Sequence, residues 1–120
     1  MPNPMNLHRW SDTPVEKMND LVTRQVIHGD QMTLARLELK AGAFVPRHSH
    51  PNEQISMVAE GSLRFELGEQ EVVVRAGEML RIPGDVPHSA LALEDSVAVD
   101  LFSPVREDWV RGDDAYLRGR

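Results

Sequence analysis

Two short stretches constrain this chain more than anything else in it. One runs Gly42-Ala43-Phe44-Val45-Pro46-Arg47-His48-Ser49-His50-Pro51-Asn52-Glu53-Gln54, and the other Ile82-Pro83-Gly84-Asp85-Val86-Pro87-His88. Side chains of an extended backbone alternate between faces, so His48 and His50 point the same way. Gln54, beyond a short loop, shares that parity if the chain re-enters in register. The distant His88 then completes a set of three imidazoles and one side-chain carbonyl, which a divalent cation accounts for as a whole. An arbitrary HxH pair is more often two solvated histidines in a loop. Here the punctuation weighs the other way: Gly42 precedes the pair, Pro46 stiffens the approach, Gly61 ends the following strand, and a second segment rich in Gly and Pro delivers His88.

The rest of the chain reads as short extended runs. Residues 33–39 place Ala35, Leu37 and Leu39 on one face and Arg36 and Glu38 on the other, while Leu63, Phe65 and Leu67 alternate with Arg64 and Glu66. Further runs are predicted at 23–28, 54–59, 72–74, 79–82, 87–93 and 96–102, separated by turn chemistry such as His28-Gly29-Asp30, Gly68-Glu69 and Glu94-Asp95. Regular spacing of this kind marks an all-β barrel or sandwich. Only the tail from Pro104 onward reads as helical. With 120 residues and no repeat, linker or low-complexity tract, the chain is one domain.

The two motifs resemble those of the cupin superfamily. Its first motif is a glycine, five residues, HxH, then a Glu or Gln and a closing glycine; here Gly42, His48, His50, Gln54 and Gly61 match, spanning residues 42–61. Its second is matched across residues 77–92 by Gly77, Pro83 and His88. Asp85 stands where the family usually has glycine, and Ala92 replaces a frequent asparagine; neither is a ligand position. The resemblance implies one cupin domain over residues 1–120, a small double-stranded β-helix jelly roll with a short helical tail. It also implies one divalent transition metal held by His48, His50, Gln54 and His88. Glu53 competes with Gln54 as a charged ligand, but Gln54 holds the family's position and starts the apolar run.

Three histidines and a glutamine form a neutral donor set, so the ion keeps its full positive charge. That favours polarising a carboxylate or enolate over redox cycling. Nitrogen and oxygen donors suit zinc, nickel, iron or manganese alike. His8 and His28 read as bystanders, Met57 and Met79 as core filler, and Trp10 and Trp109 as packing residues. Arg111-Gly112-Asp113 spells an adhesion tripeptide by chance.

The last strand and its exit carry a sharper hint. Val97, Val99 and Leu101 share one face and Ala98, Asp100 and Phe102 the other, and the pattern alone leaves open which faces inward. The stretch from Asp100 to Trp109, with the glutamine-type HxH motif, is similar to the small cupins of pectin and alginate breakdown. Those convert 4,5-unsaturated uronate monosaccharides into the open-chain keto sugar. The resemblance implies catalytic roles for Asp100 and Arg106 and a substrate-binding role for Phe102. Two other functions compete: a metal-dependent cupin dioxygenase acting on an enol or diketone, and a non-catalytic sugar- or anion-binding cupin. Oxygen consumption would mark the former, and ligand-induced stabilisation without turnover the latter.

A net charge of −6 argues against a nucleic-acid or anionic-membrane partner. The absence of cysteine excludes disulfides and thiol chemistry. No signal peptide or run of about 20 apolar residues is visible, so a cytoplasmic protein is expected. The expected partner is a small anionic sugar or enol-type substrate. The resemblance also implies a homodimer, with residues 15–27 able to supply an exchanged N-terminal strand.

Overall fold

The computed structural model describes residues 5–118; residues 1–4, on which the reading of the chain's start partly falls, lie outside them. A 3₁₀ turn at Trp10–Asp12 precedes ten strands: β1 (Glu16–Lys17), β2 (Val22–His28), β3 (Thr33–Leu39), β4 (Phe44–His48), β5 (Glu53–Glu60), β6 (Ser62–Leu67), β7 (Gln70–Arg75), β8 (Met79–Ile82), β9 (His88–Ala92) and β10 (Ser96–Ser103). Two short helices, α1 (Glu107–Val110) and α2 (Ala115–Arg118), make the expected tail. The strands form two antiparallel sheets in the orders β1-β2-β3-β10-β5-β8 and β4-β9-β6-β7. Packed face to face, these make a jelly roll.

Alternation builds the core. Thr33, Ala35, Leu37 and Leu39 of β3 are buried, and Leu63 and Phe65 of β6 face them from the other sheet. Burying side chains of this size contributes about 1.5–3 kcal/mol each. Met79 departs from expectation. It is 64% exposed, because β8 turns Ile82 inward and leaves Met79 opposite Met57 on the sheet's outer face. Residues 15–27 hold β1 and β2 as an antiparallel pair at the edge of their own chain's six-stranded sheet.

Close packing fixes the turns at the two ends of β5, and the one before it carries the histidine loop. Gly61 has φ 82, and a β-carbon there would collide with Ser96 Oγ and the Asp95 carbonyl. Asp85, at φ 66, takes the left-handed conformation, which aspartate tolerates better than most residues. That is the conformation a glycine would adopt freely, and it accounts for a non-glycine at this point of the motif. The neighbouring Gly84 lies so close to the Pro51 carbonyl that a side chain would clash with it.

Candidate metal centre

Three strands change character at the same level of the barrel. Along β10 the inward residues run Ala98, Asp100, Phe102; along β5 they run Val58, Ser56, Gln54; the two sets are register partners in that order. On the facing sheet β9 runs Ala92, Ala90, His88, and His88 pairs directly with His48 at the end of β4. Polar groups therefore collect at one end, and the apolar core fills the other. The open question about β10 is answered: Ala98 and Phe102 are buried, and Asp100 lines the cavity with them.

His48, His50 and His88 bring one ring nitrogen each within 4.8 Å of one another, a grouping that could hold a metal ion. Strand parity accounts for His48 but not for His50, which lies beyond β4. His50 is placed by its loop instead. The Asp85 N–H donates to its carbonyl at 2.8 Å, and buried Asn52 ties the same loop to the Pro104 and Val105 carbonyls.

Each imidazole has its Nδ1 beside a backbone carbonyl: His48 and Pro46 at 2.7 Å, His50 and Asn52 at 3.1 Å, His88 and Val86 at 2.8 Å. Nδ1 is thus the donor, and Nε2 is left with its lone pair facing the cavity. His88 Nε2 is buried without a partner. Gln54 Nε2 donates to Ser56 Oγ at 2.9 Å, which turns its Oε1 to within 3.1 Å of His50 Nε2. Two acceptors then face each other. A cation among these atoms relieves both that contact and the orphaned nitrogen, so the donor set fits a divalent metal. Burial, the largest influence on all three rings, pushes His48 and His50 down to about 4 and lowers His88, which keeps them neutral and ligand-competent near pH 7.

Asp100 sits deeper. Burial pushes its carboxyl up to about 6, partly opposed by a hydrogen bond with Ser56 and by the Arg106 charge. Its Oδ1 is buried without a partner. Ser56, fully buried, accepts from the Gln54 amide and stands opposite Asp100 as its register partner across β5 and β10. Arg106 is 1% exposed and donates from Nε and Nη2 to Asp108 at 2.9 and 2.7 Å. Its guanidinium lies 4.7 Å from the Phe102 ring centroid and 4.2 Å from that of Trp109. Phe102 meets His50 edge-on at 5.7 Å. Arg106 and Phe102 therefore line the same cavity as the histidines.

The other candidates fall elsewhere. Glu53 points outward and pairs with Arg81 at 2.6 Å. His8 and His28 are exposed, the latter bonded to Thr33 Oγ1. Trp109 is buried as expected, and Arg111 and Asp113 pair with each other. Sequence reasoning missed Ser56, Tyr116 and the Arg24–Asp114 pair at 2.9 Å. The Asp114–Arg118 spacing of four was the available signal for a structured tail, and nothing local marked Ser56 or Tyr116.

The family model for the cupin domain matches residues 35–103. The chain belongs to the cupin family. It is 28% identical over 102 residues to the pectin degradation protein KdgF of Dickeya dadantii (strain 3937), covering 82% of this chain and 93% of that protein. Among solved structures it is similar to KdgF from Halomonas sp., with TM-score 0.81 and 26% identity over 87% of this chain and 99% of that one. An RmlC-like cupin from Shewanella frigidimarina NCIMB 400 gives TM-score 0.82 and 25% identity, covering 91% and 99%. Among the described residues, no helix of this cupin is long and apolar enough to cross a membrane.

Proposed function

We propose that this cupin is a metal-dependent isomerase that opens 4,5-unsaturated uronate monosaccharides and ketonises them to the linear form. The observation that carries the reading is the inward Asp100, a carboxylate with one unpartnered oxygen, lining the same cavity as His48, Gln54 and His88 of the neutral donor set. The likeness to two KdgF proteins, one named for pectin degradation, supports the substrate class. The dioxygenase alternative expects an apolar pocket without an inward carboxylate, which Asp100 argues against.

In such a substrate the ring oxygen joins an enol-ether carbon, C5, to the hemiacetal carbon, C1. Breaking the C1–oxygen bond frees an aldehyde and an enol, and the enol becomes a ketone by gaining a proton at C4. His48, His50, Gln54 and His88 would hold the divalent ion, which when bound supplies Lewis acidity toward the carboxylate and enol oxygen. Asp100, poised near 6, is close enough to neutrality to take a proton from the C1 hydroxyl and deliver one to C4. Arg106, whose Nε and Nη2 are committed to Asp108, offers the edge that lines the cavity to the substrate carboxylate. Phe102 walls the pocket, and Ser56 orients Gln54 by accepting from its amide nitrogen.

The test is loss of the conjugated chromophore from an unsaturated uronate. The proposal expects a rate above the spontaneous one, abolished by chelation and regained with a divalent metal. Oxygen uptake with an enol, or binding without turnover, would favour the other two readings. The homodimer belongs to the same proposal, supported by half-buried Ile55, Met57, Val97, Val99 and Leu101 on the outer sheet face. A monomer in sedimentation at micromolar concentration would remove it.

A further inference from the structure

The cavity beside the three histidines is almost filled. Its free space is about 50 Å3, room for a few waters, whereas small-molecule sites usually offer ~300–1,000 Å3. Its mouth is closed by the tail that follows β10. Tyr116 stacks on His48 with ring centroids 4.4 Å apart. Its hydroxyl accepts from Arg106 Nη2 at 2.8 Å and from Trp109 Nε1 at 3.1 Å. Leu117, the next residue, is buried. We propose that residues 113–118 form a gate over the site, with Tyr116 as its plug, Gly112 as its hinge and Asp114 as its latch, and that the gate withdraws before any ligand larger than a few waters reaches the three-histidine group.

The parts of such a device are separable. Upstream of the hinge, α1 is anchored by buried Trp109 and by the Arg106–Asp108 pair. Gly112, at φ 83 with open space where a β-carbon would stand, is the point at which the chain can swing without disturbing that anchor. Downstream, the segment is held mostly by polar bonds. Asp114 accepts from Arg24 at 2.9 Å and from Arg118 at 3.0 Å, Glu16 pairs with the same two arginines, and Asn19 Nδ2 donates to the Leu117 carbonyl at 3.0 Å. Water can replace bonds of this kind when the segment lifts, and lids are drawn from such low-stability regions. Among the described residues, the closed state also leaves Arg24 Nη1 buried without a partner, a cost that opening removes. A carboxylate entering the cavity competes with the Tyr116 hydroxyl for Arg106, so an anionic ligand loosens the plug as it binds. The gate concerns access alone and stands or falls independently of the reaction.

Two measurements on the full chain test it. In hydrogen exchange on the protein as purified, the Leu117 amide, bonded to the Asp114 carbonyl at 3.0 Å, should exchange through a local opening at least about a hundredfold faster than the amides of β10. Exchange of Leu117 only at the rate of global unfolding overturns the gate. In chelator-treated protein, diethyl pyrocarbonate acylates accessible neutral imidazoles. Mass spectrometry should find buried His88 protected relative to exposed His8, and Tyr116→Ala and Asp114→Asn should each raise the His88 rate about tenfold with His8 unchanged. Equal rates for His88 and His8 in the wild type, or continued protection in both variants, would show that the tail does not close the site.

Discussion

At the scale of single residues, the site rests on neutral donors and one misplaced charge. Gln54 supplies an oxygen without a charge because Ser56 holds its amide nitrogen at 2.9 Å. Gln54→Glu should therefore keep metal bound, as read by elemental analysis, and slow ketonisation, since an added negative charge weakens the Lewis acid. Equal or faster turnover would mean that the net charge of the donor set does not govern the rate. Asp100 makes a different prediction about stability. Its folded value of about 6 lies above the ordinary 3.8, so the fold prefers the protonated form. That preference stabilises the protein fully below pH 3.8 and is lost as pH rises through about 6. Above that range the buried charge costs the metal-free protein on the order of 1–3 kcal/mol. Asp100→Asn should accordingly raise the melting temperature of chelator-treated protein at pH 7.5 and have little effect at pH 3.5; a lower melting temperature at pH 7.5 would contradict a desolvated carboxylate.

At the scale of elements, turns and loops place the histidines as much as strands do. Period-two alternation made β3, β6 and β10 legible, and the paired motifs identified the barrel and the residues that gather at its mouth. The face of β10 that carries Asp100 was not legible, because the β5–β10 register pairs residues 53–60 with 97–103 across a long sequence separation. His50 was placed on the correct side for an incomplete reason: it stands in a loop held by Asp85 and Asn52. Met79 was misassigned because a four-residue strand leaves too little alternation to tell core from surface. The tail was legible only as helical, since Tyr116 acts through contacts with β4 and α1 that no local pattern encodes. The loop account predicts that Gly84→Ala, whose new β-carbon would strike the Pro51 carbonyl, destabilises the fold by ~1–3 kcal/mol. It should also weaken metal binding by displacing the His50 loop, measurable by competition with a chromogenic chelator. Unchanged metal affinity would mean that the loop contact does not position His50.

At the scale of the whole molecule, a barrel with an apolar floor and a polar mouth encloses an arginine, three neutral histidines and one aspartate within a chain of net charge −6. The surface repels anions weakly, while the mouth, once a divalent ion is held there, attracts them. That contrast supports the proposal of a small anionic substrate. The account turns on Asp100 as the group that moves the proton. Wild type and Asp100→Asn, each loaded with the same divalent metal, should be compared for loss of the conjugated chromophore of a 4,5-unsaturated uronate. General acid–base groups contribute ~10²–10⁴-fold, so the variant should retain fold and metal and fall to within reach of the spontaneous rate. Wild-type turnover in Asp100→Asn would remove the carboxylate from the mechanism and contradict the central claim.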